Sequence, residues 1–414
     1  MTRPFDLILR SCRLPDGREA DVGCRDGRIA EIGTLTGQPA SRAIDCEGRA
    51  VTPGLVEAHI HLDKALLAHR APGVAGTLAE AIRVTGLAKR RFTVEDIRAR
   101  ARRVLDMAVA HGTTVMRSHV EVDPIVELKG LEALLPLKQE YQPALDLQLC
   151  AFAQEGILQS PGTEALLARA LAQGADLVGG CPYNDTDARA QIDIVFKLAR
   201  DFGVDADFHV DFFDEPRHLH VEYIAEQTVR HGWQGRVAVG HLTELAALPP
   251  VEQDRVIAAI REAGIGVIML PATDLYLMGR KDIRTVRRGL TPAKRLLAAG
   301  VPVAAATNNV RNAFTPVGTA DPALMGFLVT VGCHMGTPSD LLEALAMVTH
   351  HAARILRLHD YGLEVGRRAD LVVWEAERAE DVVAAVAPRR LVVKRGSVSV
   401  EHEHYVKPRW RGTP

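Results

Sequence analysis

The chain has no excess of positive charge: 50 Lys and Arg stand against 52 Asp and Glu in 414 residues, a formal net charge of −2. Nucleic acid and anionic membranes call for a basic field, so neither is expected as a partner. A small neutral or zwitterionic molecule is the better match. The opening segment MTRPFDLILRSCRL lacks the apolar run of a signal peptide, and nothing later approaches a membrane-spanning length, which points to the cytoplasm. The cysteines (Cys12, Cys24, Cys46, Cys150, Cys181, Cys333) form no CxxC pair and no dense framework, so they read as reduced thiols filling core spaces. What remains is an ordinary globular composition, 47% hydrophobic and 25% charged. At this length it suits one large α/β barrel with an appended domain.

The most informative stretch is 51–64, VTPGLVEAHIHLDK. Pro53-Gly54 breaks the preceding segment, and 55–60 then reads as a short buried strand. Residues i and i+2 of a strand share a face, so His59 and His61 project together from its end. Two such imidazoles can chelate one divalent metal, zinc or iron by ligand type. They can equally be two polar residues leaving the core.

Further strand candidates follow at 114–119, 147–152, 176–181, 205–210, 236–240, 265–270 and 301–306. Amphipathic helical patterns at 94–111, 165–174, 188–203, 251–264 and 292–300 lie between them, several closing at a Gly. Eight strand-helix units predict a (β/α)8 TIM barrel over 53–364, whose chemistry sits at the strands' C-terminal ends. Those ends carry His59 and His61, His119, Gln154, His209 with Asp211, His241, and Asn308 with Asn309. The N-terminal 1–52 and the C-terminal 365–414 are rich in short β runs with Asp26-Gly27 and Arg395-Gly396 turns. Neither end has enough strands alone, so the two are expected to combine into one small β-sandwich domain.

In order along the chain, VTPGLVEAHIHLDK, MRSHVEVDP at 116–124, DLQLCAFAQEGIL at 146–158, DADFHVD at 205–211, GRVAVGHLTEL at 235–245, TPVGTADPALMG at 315–326 and THHAARILRLHDYGLEVGRRADLVV at 349–373 resemble the amidohydrolase superfamily. Within it the likeness is to the cytosine deaminase-like branch that also holds N-isopropylammelide amidohydrolase. The resemblance implies one divalent metal on His59, His61 and His209. It makes His241 the group that polarises water or the developing oxyanion, and places Gln154, Phe314 and Asn309 at a small heterocyclic substrate. Homo-oligomers are common in such a group.

Two departures qualify the likeness. Relatives carry an aspartate at the end of the eighth strand, where this chain has Asn308, and cytosine deaminases carry a glutamate where it has Phe212. An amide cannot serve as a general base near neutral pH. The expected function is metal-dependent hydrolysis of a non-peptide C–N bond in a nitrogen-rich ring, with proton transfer rebuilt from His241, Lys64, Asp211 or Asp63. A cytosine-type deaminase proper, or an impaired relative that only binds a heterocycle, are the alternatives. Asp63-Lys64 also suits a solvated pair, Asp211 a helix cap, and Lys89-Arg90-Arg91 a solvated face.

Overall fold

The computed structural model describes residues 3–216 and 219–404. Eight parallel strands follow one another around a barrel in chain order: Leu55–Ile60, Thr113–Glu121, Asp146–Ala153, Leu177–Gly180, Asp205–Val210, Val237–His241, Gly266–Met269 and Val303–Ala305. Several are buried from end to end, which is why they read as apolar runs rather than alternating ones. The ring closes between its first and last strands through a parallel bridge of Ile60 with Asn308. Two backbone bonds make this seam: His61 N donates to Asn308 O (2.8 Å), and Asn308 N donates to His59 O (2.8 Å).

The anticipated helices surround the sheet. Val94–Ala110 opens on Thr93, whose hydroxyl accepts from Asp96 N, and Ala188–Phe202 opens on Asp187, which accepts from Ala190 N. The latter ends at Gly203 in the left-handed conformation (φ 67°), where a side chain would be strained. No helix among the described residues is long and apolar enough to cross a membrane.

Both chain ends build a small sandwich beside the barrel. One sheet has the order Arg28–Gly33, Glu19–Arg25, Phe5–Arg13, Ala40–Asp45, and the other Ser397–Glu401, Arg389–Lys394, Leu371–Trp374, Val51–Pro53. Leu7, Leu9, Val22 and Ile29 of the first pack against Val51, Leu371, Val373 and Leu391 of the second. The expected hairpin turns are present: Asp26-Gly27 and Arg395-Gly396 each place both residues at positive φ, the geometry of a type I′ turn.

Several elements were not anticipated, among them the helices Lys129–Glu140, Pro322–Gly332 and Pro338–Met347. The strand Ala40–Asp45 is short and mostly solvent-facing. The helix Leu78–Lys89, LAEAIRVTGLAK, carries a Gly and a β-branched pair that weaken its pattern. Its last residue corrects the solvated-face reading of Lys89-Arg90-Arg91: Lys89 is buried and paired with Glu121, Asp123 and Glu155.

Lys394 is the main ionic tie between the sandwich and the barrel. Its buried ammonium donates to Thr114 O (2.9 Å), Asp146 (2.8 Å) and Asp370 (2.8 Å), using all three protons. Removing one partner from such a cluster leaves buried carboxylate charge unbalanced. Lys394→Met is therefore expected to lower unfolding free energy by roughly 3 kcal/mol, seen as a lower urea midpoint at unchanged slope. A wild-type midpoint would refute the tie.

Candidate metal centre

At the C-terminal mouth of the barrel, three imidazoles from two strands meet. His59 Nε2 and His61 Nε2 lie 3.0 and 3.1 Å from His209 Nε2, close to the ~3.3 Å expected between nitrogens sharing a tetrahedral zinc. All three rings are buried. Burial pushes each well below the usual imidazole range, and surrounding imidazoles push further, joined at His59 and His61 by Lys64. They are therefore neutral lone-pair donors at pH 7. The Nδ1 atoms of the three have no partner. Gly240 admits the cluster, since a Cβ there would meet the His59 ring at 3.1 Å.

His119, left without a role by the sequence, stacks on His59 with 3.9 Å between ring centroids. Its Nε2 lies 3.3 Å from Asp207 Oδ1, and the other Asp207 oxygen takes Arg117 Nη1 at 2.9 Å. His59, His119 and Asp207 also lie close enough to hold an ion. The Arg117 guanidinium on the same carboxylate makes an ion-paired floor beneath His59 the better description.

His241 stands beside the cluster, its ring centroid 5.4 Å from that of His209. Its backbone sits at φ 71° and the next residue, Leu242, at 58°, so the strand turns sharply as it ends. Nδ1 is 2.7 Å from Asp274 Oδ1, which fixes the proton on Nδ1 and leaves Nε2 as the free lone pair. Phe212 lies flat against the ring, centroids 3.8 Å apart. Phe212 thus supplies a packing face where a cytosine deaminase has a carboxyl group. Asp274 escaped the sequence reading; an acidic residue just after the seventh strand was its one available signal.

Asn308 is held with similar definition. Its Nδ2 donates to Thr273 Oγ1 (3.1 Å), which lies 2.6 Å from Thr315 Oγ1, so Asn308 Oδ1 is turned the other way. That oxygen is buried without a partner. A buried orphan acceptor beside neutral imidazoles is what an additional ligand to a cation, or an acceptor for a bound water, looks like before its partner arrives.

His61, His209, His241 and Asn308 form one side of a cavity of about 10 Å³. Lys64, Gln154, Asn309, Phe314, Tyr183, Leu78, Phe212 and Thr273 complete the wall. That volume has room for about one water. Lys64 is not part of a solvated pair: its ammonium is buried, 2.8 Å from Glu121 Oε1 and 3.2 Å from Gln154 Oε1. Burial alone would raise Glu121, but Lys64 and Lys89 together bring it to about 2.

Two relay candidates do not face the cavity. Asp211 is a correction: its oxygens accept from His220 N (2.8 Å), His220 Nδ1 (3.0 Å) and Val221 N (3.1 Å), so it anchors the first turn of the helix His220–His231. Asp63 accepts Glu121 N at 2.8 Å behind the wall, where burial lifts it to about 6. A further HxH pair in the sequence, His402 and His404, bonds to Ala110 O and Arg389 O, and among the described residues no third metal-ligating group joins it.

Comparison with known proteins agrees with this geometry. The profile of the Amidohydrolase family matches residues 42–400. N-isopropylammelide isopropyl amidohydrolase of Pseudomonas sp. is 30% identical over 97% of this chain and 99% of its own length. The pterin deaminase of Rhizobium rhizogenes is 30% identical over 92% of the chain and 87% of its own. The structure of 5-methylcytosine deaminase from Klebsiella pneumoniae liganded with 5-fluorocytosine superposes with a TM-score of 0.92 at 31% identity, covering 97% of this chain and 99% of that one.

The neutral histidine cluster has a signature in stability. In metal-free protein, unfolded imidazoles take up protons below about pH 6.5, whereas the folded ones stay neutral, so stability is lost as pH falls through that value. The urea midpoint of the metal-free wild type is expected to fall between pH 7 and pH 5 more steeply than that of His209→Asn. Equal slopes would contradict the depressed affinities for protons.

Proposed function

The chain belongs to the amidohydrolase family and hydrolyses non-peptide C–N bonds of a small heterocycle, and we propose that it does so with one divalent ion, zinc or iron, held by His59, His61 and His209. The observation that carries this reading is the convergence of three neutral imidazole nitrogens, two of them 3.0 and 3.1 Å from the third, on one small cavity at the mouth of the barrel. Asn308 Oδ1 is oriented to add a neutral oxygen to that set or to hold the attacking water. A divalent ion bound there supplies Lewis-acid activation of water at neutral pH.

The chain's own groups divide the remaining work. His241 Nε2 takes the proton of the attacking water, and Asp274 steadies the imidazolium that results. The same proton then passes to the ring nitrogen or the departing amine. Asn308 carries no proton in this scheme, which makes His241 the single proton carrier. Lys64 and Gln154 hold the far edge of the ring, and Phe314, whose ring lies 4.5 Å from Lys64 Nζ, packs against its face. Release of ammonia or an amine from a ring carbon is favoured over ring opening, because three relatives at 30–31% identity with near-complete coverage are an isopropyl amidohydrolase and two deaminases. We also divide the chain into a catalytic barrel, 53–364, and a composite domain, 1–52 plus 365–414.

The test pairs metal analysis of the purified protein with a panel of pyrimidines, s-triazines and pterins scored for ammonia or amine release. About one metal per chain and turnover of at least one ring are expected. His241→Asn should lower kcat by about 100-fold or more with metal content unchanged. A fully metal-loaded wild type that turns over no ring, with activity appearing only in Asn308→Asp, would overturn the scheme.

A further inference from the structure

The far end of the barrel, away from the histidines, carries a second cavity, of about 490 Å³. It lies where the sixth and seventh strands begin, at Val237 and Gly266, beside the short helix His350–Ile355 and the turn that follows it. Apolar side chains fill the barrel between its two ends: Val56, Val115, Ala238 and Ile268 are buried together with Ala352 and Ala353 of that helix. The two cavities are therefore separate places on the molecule.

The charge of this second cavity is one-sided. Arg261, Arg354, Arg357 and Arg367 line it with His350 and His359, and among the described residues no Asp or Glu side chain does. Guanidiniums repel one another, and a concave wall concentrates a field that water disperses on an open face. Nearby carboxylates do not cancel it. Arg357 reaches Asp205 Oδ1 at 2.7 Å, but Arg236 Nε holds the same oxygen at 2.8 Å. Arg367 is held by Glu364 at 3.1 Å, Arg261 has only its chain neighbour Glu262 at 3.7 Å, and Arg354 has no ion pair among the described residues. Five guanidiniums thus share three carboxylates, an excess of two positive charges.

We infer that this cavity binds a small phosphate monoester, its head group held among Arg261, Arg354 and Arg357. A phosphate monoester carries close to two negative charges at neutral pH, which matches the excess. Its oxygens point several ways at once, which suits guanidiniums supplied by separate segments: the helix Pro250–Glu262, the helix His350–Ile355 and the turn after it. A planar carboxylate, by contrast, is filled by one guanidinium fork. A cavity of about 490 Å³ leaves room beside the head group for the rest of a small molecule, and Ile355, Leu358 and Pro302 give that remainder an apolar wall.

The experiment titrates full-length zinc-loaded protein with phenyl phosphate by calorimetry at constant ionic strength, with succinate as the competing dianion. Phenyl phosphate is expected to bind at one site per chain with a Kd below about 1 mM. Succinate, whose charge is split between two planar groups, should bind at least about tenfold more weakly. Arg261 and Arg354 are exposed, so Arg261→Gln and Arg354→Gln should fold normally, and each should weaken phenyl phosphate at least about fivefold with zinc content unchanged. Succinate binding as tightly as phenyl phosphate would overturn the phosphate assignment. Undiminished affinity in both variants would overturn the site, because the ester would then be held elsewhere, the zinc included. Absence of saturable binding in the wild type would overturn it too. None of these readings depends on whether any ring is turned over at the other end of the barrel.

Discussion

The barrel seam is where fold and chemistry become one constraint. Two backbone hydrogen bonds, from His61 to Asn308 and from Asn308 to His59, join the first strand to the last. Closing the ring removes the exposed edges of the sheet, and in a parallel barrel it also brings the strand ends to a common mouth. Here the residues that make the closure are themselves site residues. His59 and His61 cannot be displaced from each other without opening the seam, and Asn308 cannot leave them without doing the same. The fifth strand then needs only its alternation, Asp207 inward below and His209 inward above, to bring the third imidazole to the other two. Asn308 sits at φ 61°, and the sharp turn lets one residue serve the closure with its backbone and the cavity with its side chain.

Orientation of side chains around the cavity runs through similar backbone-anchored relays. The loop after the eighth strand fixes Asn312 by its own N–H groups, Asn312 fixes Asn309, and Thr315 with Thr273 fixes Asn308. Asp274 does the same for the tautomer of His241. The side chains of Asn308, Asn309 and His241 therefore each have a definite sense, donor or acceptor, before any ligand binds. Preorganisation of this kind is what a small enclosed site needs, because buried dipoles that had to reorient during reaction would give back much of their stabilisation. A buried ionic layer supports it: Lys64 and Lys89 share Glu121, and Lys89 also pairs with Asp123 and Glu155. Through Lys89 the helix Leu78–Lys89, which gives Leu78 to the cavity, is tied to the second and third strands.

Much of this was legible in the sequence, because its strongest signals are periodic or local. Eight apolar runs separated by amphipathic stretches specify a barrel, and the barrel rule converts strand ends into a shared site, which is how His59, His61, His209 and His241 could be grouped from one chain. The hairpins at Asp26-Gly27 and Arg395-Gly396 were legible because type I′ turns demand positive φ at two successive residues. What stayed hidden depends on three-dimensional partnership. Lys89 reads as a surface charge, and Lys64 as a relay group or a solvated one, until the carboxylates opposite them are known; Asp211 reads as a relay or a helix cap until the start of the helix His220–His231 is placed. The direction of an amide carries no sequence signal at all.

Asn308 shows how these levels combine. With a carboxylate at that position a proton acceptor would stand beside the cation site, and the load on His241 would be shared. With an amide, the set of His59, His61, His209 and Asn308 is wholly neutral, so a divalent ion there keeps its full charge in a buried setting. A more exposed positive charge strengthens the activation of water, which offsets the loss of the neighbouring base. In the proposed scheme His241 would take the proton of the water, with its Asp274 partner buried and its ring clamped by Phe212. The two departures from the deaminase pattern are therefore linked: the residue in place of the glutamate packs against His241, the histidine to which the proposed scheme gives proton transfer once position 308 is an amide.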